Sequence, residues 1–184
     1  DCVAEHGAST KDDFRFLRAG WEVLESSEKW TPFAKGGSYA PFYADIPLCV
    51  NWSRDAEELE AALLHKYPYL GESANWVLHR ECRYGHPGLT WSKRTKSALS
   101  MRVLPKGCVF SDKGSAAFVK SDSSTDLLAL LGLCSSRAFR VFIELQLAAA
   151  DARAVSDDAS RHHRPGLDGR PRADDGIDDD RVRL

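Results

Sequence analysis

The sequence predicts an α+β domain, and three observations carry that expectation. Short apolar runs bounded by polar residues crowd residues 48–119, two helix-like stretches follow between 126 and 150, and no regular βαβ alternation is present. The expected architecture is a short-stranded sheet followed by two C-terminal helices and a disordered tail. Residues 1–150 form the folded domain in this reading, and 151–184 lie outside it. Size and composition agree, because 184 residues at 43% hydrophobic content suffice for one domain with its own core.

Along the chain, Asp12–Leu24 mixes helix and strand signals. Trp30–Asp45 then reads as a loop crowded with Trp30, Phe33, Tyr39, Phe42 and Tyr43 and stiffened by Pro32 and Pro41. At its centre Lys35 stands beside Gly36 and Gly37, so a cation sits where the backbone can turn sharply or approach a partner closely. Leu48–Trp52 is strand-like. Ser53 is placed to cap a helix running to Leu64, with Ala56, Leu59, Ala62 and Leu63 on its apolar face and Pro68 beyond its end. Leu99–Leu104, Cys108–Phe110 and Ala116–Val119 are further strand-like runs. Asp126–Leu133 and Ser136–Ala150 read as helices, the second amphipathic through Phe139, Phe142, Ile143 and Leu147.

The tail differs in kind. Residues 151–184 contain seven Arg and nine Asp but no Lys and no Phe, Trp or Tyr, a composition that buries too little apolar area to offset the entropy of ordering. Arg/Asp/Gly/Pro/Ala text of this sort is what out-of-frame translation of a GC-rich gene produces, so the tail is expected to be frameshifted and without function. The only Met is Met101, and Asp1 reads as a fragment boundary.

Several function classes find no support. No apolar run approaches the ~20 residues of a membrane helix, and the first residues lack the pattern of a signal peptide. Five cysteines without a C-x-x-C suit reduced thiols, and with them a cytoplasmic location. His79-x-x-Cys82-x-x-x-His86 has metal-like spacing but lacks a second ligand pair, so no metal is expected. There is no G-x-G-x-x-G, Walker loop, nucleophile elbow or H-E-x-x-H, and no catalytic residue is assigned.

Charge gives the stronger lead. Residues 80–120 carry nine Lys or Arg against Glu81 and Asp112, which suits either a nucleic-acid footprint or a solvated face whose charges pair within the fold. Within this segment Trp91 is interleaved with Lys93, Arg94, Lys96, Arg102 and five hydroxyl side chains, the types that hold phosphate oxygens. The alternative is a β-hairpin with Trp91 in the core. The candidate DNA-binding set is therefore Lys35, Gly36, Gly37, Lys93, Arg94, Lys96 and Arg102. Met101 and Val103 suggest a packed strand around Arg102, which favours a structural role for that residue over base contact.

The two informative stretches belong to a longer ordered series. It runs Gly7-x-x-Thr10-x-x-x-Phe14-x-Phe16-Leu17-Arg18, Trp21-Glu22-Val23, Trp30-x-Pro32-Phe33-x-Lys35-Gly36-Gly37, Tyr43-x-Asp45, Val50-Asn51-Trp52 and Gly88-Leu89-Thr90-Trp91-Ser92. It continues through Ser100-x-Arg102-x-x-Pro105-x-Gly107-x-x-Phe110, the Leu127–Leu133 run and Ser135-Ser136-Arg137-Ala138-Phe139. Over roughly residues 7–150 this series resembles the C-terminal target-recognition region of adenine-specific DNA methyltransferases. The similarity is to the PglX-like enzymes of BREX phage-defence systems and to related fused restriction–modification methylases.

The resemblance implies a parent enzyme that transfers a methyl group from S-adenosylmethionine to N6 of adenine in double-stranded DNA. The family's catalytic half carries an Asn/Asp-Pro-Pro-Tyr/Phe motif and a Gly-containing cofactor loop. This chain has no Pro-Pro pair, so neither maps onto it. Where family members continue into a Tyr/Val/Gly and Pro-Val-Pro segment, the Arg/Asp tail stands instead. The implied function is a DNA-recognition fragment that binds no cofactor itself and is inactive alone. Its partners would be double-stranded DNA and a catalytic half, or other defence-system proteins. The alternative is a structural or protein-interaction domain of a phage-defence complex that binds no DNA.

Overall fold

The segments that form strands are short and mainly apolar, and turn formers separate them. The structure, a computed structural model, describes residues 2–23, 28–94, 98–146 and 148. The expected disordered tail, Leu147 and the candidate residue Lys96 lie outside the described residues. The chain divides into two units, Asp1–Ile143 and Glu144–Leu184, and all the elements below belong to the first.

Strands β1 (Cys2–Glu5), β2 (Leu17–Ala19), β3 (Trp30–Ala34), β4 (Leu48–Asn51), β5 (Gly88–Thr90), β6 (Arg102–Leu104), β7 (Val109–Phe110) and β8 (Ala116–Val119) build two four-stranded sheets. The first has the order β1-β8-β5-β6 and the second β2-β4-β3-β7. Pairing is antiparallel throughout, except that β3 runs parallel to β7. Helices are α1 (Asp13–Phe16), α2 (Ser53–Lys66), α3 (Asn75–Leu78) and α4 (Ser124–Ser135), and residues 137–143 are also helical. The α+β class is thus as expected, but the strands form two sheets and not one.

Trp30–Ala34 is a strand where a loop was expected, despite Pro32. The register explains the tolerance: Trp30, Thr31 and Pro32 pair with β4, whereas only Phe33 and Ala34 pair with β7. Pro32 is therefore paired on one side only, where its missing N–H breaks no second ladder. A second difference concerns Ser53, which does not cap α2. Trp52 holds the cap position, and the Ser53 hydroxyl donates to Asn51 Oδ1 at 3.1 Å. The next three residues, Arg54, Asp55 and Ala56, have φ of 47°, 56° and 65°. Such backbone persists only where neighbours hold it. Here Arg80 does so, donating to the Asp55 carbonyl at 2.9 Å from one nitrogen and 3.1 Å from another. Ser136 is the working cap of the last helical stretch, its hydroxyl accepting from Phe139 N at 3.2 Å.

Four apolar clusters stabilise the unit. Phe16 packs with Leu59 and Leu63 of α2 and with Val77 and Leu78 of α3. Leu17, Phe33, Val50 and Val109 fill the second sheet. Phe110 and Phe118, joined to Leu104 and Ala116, form a third cluster. The fourth places Leu127, Leu131 and Cys134 of α4 against Leu89, Met101 and Val119, with Trp91 and Phe139 partly buried at its margin. β5 and β6 form the antiparallel pair that the hairpin alternative described, with Trp91 beside the core.

Candidate nucleic-acid interface

Backbone contacts draw four distant segments together around the Lys35-Gly36-Gly37 turn. Residues 6–10 run beside β7, with Ala8 N donating to Phe110 O at 3.1 Å and Asp112 N to Ala8 O at 3.0 Å. Only glycine fits at position 7, because a Cβ there would lie 2.2 Å from the Phe110 carbonyl oxygen. The turn itself emerges from β3 and meets residues 111–114 backbone to backbone. Gly36 has φ of +90°, and a Cβ on it would lie 2.7 Å from Lys113 O. Lys93 N donates to the same Lys113 carbonyl at 3.0 Å, which brings the 92–94 segment alongside.

Arg102 sits beneath this arrangement, only 4% exposed. Its guanidinium donates to Ser92 Oγ at 3.2 Å and to the Ser38 carbonyl at 3.3 Å, while the Ser92 hydroxyl donates to Gly37 O at 2.7 Å. Burial lowers the pKa of Arg102 from its ordinary value. The residue thus fastens the turn; of the two neighbours that suggest a packed strand, Met101 is buried but Val103 is exposed.

Between the 8–13 segment, Lys35 and residues 111–113 lies an open cavity of about 300 Å³, whose charged lining is Lys11, Lys35 and Lys113 with Asp13 and Asp112. Lys35 forms an ion pair with Asp13, which also accepts from Thr10 Oγ1. Burial pushes the Asp13 carboxyl up, but the hydrogen bonds from Lys35 and Thr10 and the charges of Lys35 and Lys113 outweigh it and hold it below the ordinary value. His6 is lowered by burial first and by the charge of Lys93 second, which fits a cationic surrounding. A larger cavity of about 660 Å³ shares Lys11 and continues past Arg15, His65 and Lys66 between α1 and α2.

Of the candidates, the structure brings Lys35, Gly36, Gly37 and Lys93 together, with Arg94 next in line and, like Lys93, exposed. Not all of the basic segment joins them. Arg80 pairs with Asp55 and Glu60, and Arg83 with Asp122, so for these two the charge is spent inside the fold. Lys11 and Lys113 were missed as partners of the turn. They are far apart in sequence, and only the pairing of Ala8 with Ser111 makes them neighbours. His79, Cys82 and His86 do not share a site. His79 Nδ1 faces Glu81 at 3.4 Å, His86 Nδ1 faces Asp122 at 2.7 Å, and the Cys82 thiol, pushed up to about 12 by burial, meets His6 O at 3.3 Å. Among the described residues no group of three His, Cys, Asp or Glu could hold a metal ion. Nor is any described helix long and apolar enough to cross a membrane.

No protein-family profile matches the chain. It is similar to the adenine-specific methyltransferase PglX of Lacticaseibacillus casei (strain Zhang), 26% identical over 156 residues, which is 77% of this chain and 12% of that protein. It is also similar to the adenine-specific methyltransferase BrxX of Escherichia coli O9:H4 (strain HS), 27% identical over 113 residues, covering 61% of this chain and 8% of that protein. These two likenesses relate the chain to adenine-specific methyltransferases, of whose length it spans about a tenth.

Proposed function

We propose that this chain is the DNA-reading part of an adenine-specific DNA methyltransferase and that it works with a catalytic half supplied by another segment or another chain. The carrying observation is the convergence of Lys11, Lys93 and Lys113, from three separate segments, around one glycine turn whose own Lys35 is paired with Asp13, with exposed Arg94 beside it. Lysines on flexible stems suit phosphate oxygens as point charges, and the close backbone packing at Gly36 gives them a firm base. The likeness to two adenine-specific methyltransferases supports the same reading. Its division of labour is physical: one region grips the duplex while another receives the extruded adenine.

A second reading has one observation in its favour. Leu128 and Leu133 of α4 and Val141 and Phe142 beyond it are exposed apolar side chains, a surface that suits contact with protein. In that reading the chain is an interaction domain of a phage-defence complex.

Anisotropy titration of a labelled duplex across a salt series separates the two. DNA binding through these cations gives a log–log salt slope of roughly −3 to −5, at about −0.9 per neutralised phosphate. No binding, or binding indifferent to salt, defeats the first reading. The purified chain is also expected to transfer no labelled methyl group from S-adenosylmethionine to DNA, since it carries no Pro-Pro catalytic motif and no Gly-rich cofactor loop. Incorporation above a heat-inactivated control would contradict this.

A further inference from the structure

The Gly36-Gly37 turn runs on into an aromatic segment for which phosphate binding has no use. Phe42 is 56% exposed although it is a large apolar side chain, and its φ is +72°. A bulky residue seldom adopts that backbone, and it needs support from its surroundings to do so. The support is explicit: Phe42 N donates to Met101 O at 2.8 Å, and Val103 N donates to Phe42 O at 3.0 Å. These two bonds fix Phe42 beside Arg102 of β6, and Pro41 restricts the backbone just before it. Tyr39 and Tyr43, on either side, are exposed as well. The fold thus holds an aromatic ring outward on a strained, doubly tethered backbone.

The mounting is shared with the cations. Arg102 and Ser92 hold the carbonyls of Ser38 and Gly37, and Ser92 leads directly to the exposed Lys93 and Arg94. A ring and a pair of cations are therefore borne on one rigid base. An apolar ring beside phosphate-holding cations is the arrangement that enters a base step and unstacks it, and an aromatic face stacks on any base because every base has a π-face.

We infer that Phe42 is a wedge that stacks against a base of double-stranded DNA at an opened step, while Lys93 and Arg94 hold the adjoining phosphates. This rests on the DNA reading above and adds a positioning residue to it. A duplex already weakened at one step costs less to open, so the chain binds it more tightly.

The test uses the full chain and two labelled 30-base-pair duplexes, one fully paired and one with a single abasic site, together with a third carrying 2-aminopurine. The parent is expected to prefer the abasic duplex and to raise 2-aminopurine fluorescence on binding. Phe42→Ala should lose the preference, weaken abasic binding at least about fivefold, the low end of one base–aromatic stack, and leave the salt slope and melting temperature of the free protein unchanged. Phe42→Tyr should behave like the parent. If Phe42→Ala matches the parent on all three duplexes while both keep a steep salt slope, the wedge is wrong and the DNA reading stands. A parent that binds no duplex overturns both.

Discussion

At the scale of single residues, charge and burial divide the basic side chains into two kinds. Arg102 is enclosed, and its hydrogen bonds end on a serine hydroxyl and a main-chain carbonyl. Removing its guanidinium deletes both bonds and empties a buried site, so Arg102→Ala should destabilise the free protein by roughly 1–3 kcal/mol in thermal or urea unfolding. Arg102→Lys should not restore it, because an ammonium lacks the fork that spans two acceptors. Lys93 and Lys113 are the other kind, exposed and mounted on a common carbonyl. Replacing either with Ala should leave stability within about 0.5 kcal/mol, weaken all duplexes alike and reduce the salt slope by about one. Salt slopes of parent and variants that coincide would remove these lysines from the interface.

Between elements, close backbone approach and one ion-pair network decide the geometry. Gly36→Ala meets both an unfavourable φ and the Lys113 carbonyl, and Gly7→Ala meets the Phe110 carbonyl. Each should cost about 1–3 kcal/mol of unfolding free energy, Gly7→Ala by overlap and Gly36→Ala by overlap plus strain. The Glu60–Arg80 pair ties the middle of α2 to the segment after α3. Hydrogen bonding from Arg80, chiefly, holds Glu60 below its ordinary 4.5. As pH falls, the unfolded chain therefore takes up this proton first, so the pair's contribution is complete above pH 4.5 and is lost as pH drops through the lower folded-state value. Glu60→Gln should lower the melting temperature at pH 7 and flatten its decline below pH 4.5.

These elements were unequally legible. The helical spacing of Ala56, Leu59 and Leu63 and the unbroken apolar run Ala116–Val119 announce themselves, because both signals are local in sequence. Trp30–Ala34 was masked by Pro32, whose compatibility depends on a register set by two distant strands. Of the interface, the glycine turn and Lys93 were readable. Lys11 was not, since nothing in its own neighbourhood reports that β7 will run alongside. Arg80 and Arg83 looked like free charge for the same reason: Glu60 and Asp122 are remote in sequence.

For the molecule as a whole, the order of strands has a consequence in time. In the first sheet β1 lies at the edge and pairs only with β8, Cys2 against Val119. Of the eight described strands, the earliest in sequence is thus the one whose partner comes last. At roughly 5–20 residues per second on the ribosome, β1 waits about 6–23 s for β8 to be made, and longer for it to clear the exit tunnel. Its side chains are mostly exposed even when paired, so it contributes little to the buried clusters and the nascent chain can assemble β5, β6 and β8 around Phe118 without it. Until β1 arrives, the outer edge of β8 is an open row of hydrogen-bonding groups, and any other extended strand within reach competes for the same slot.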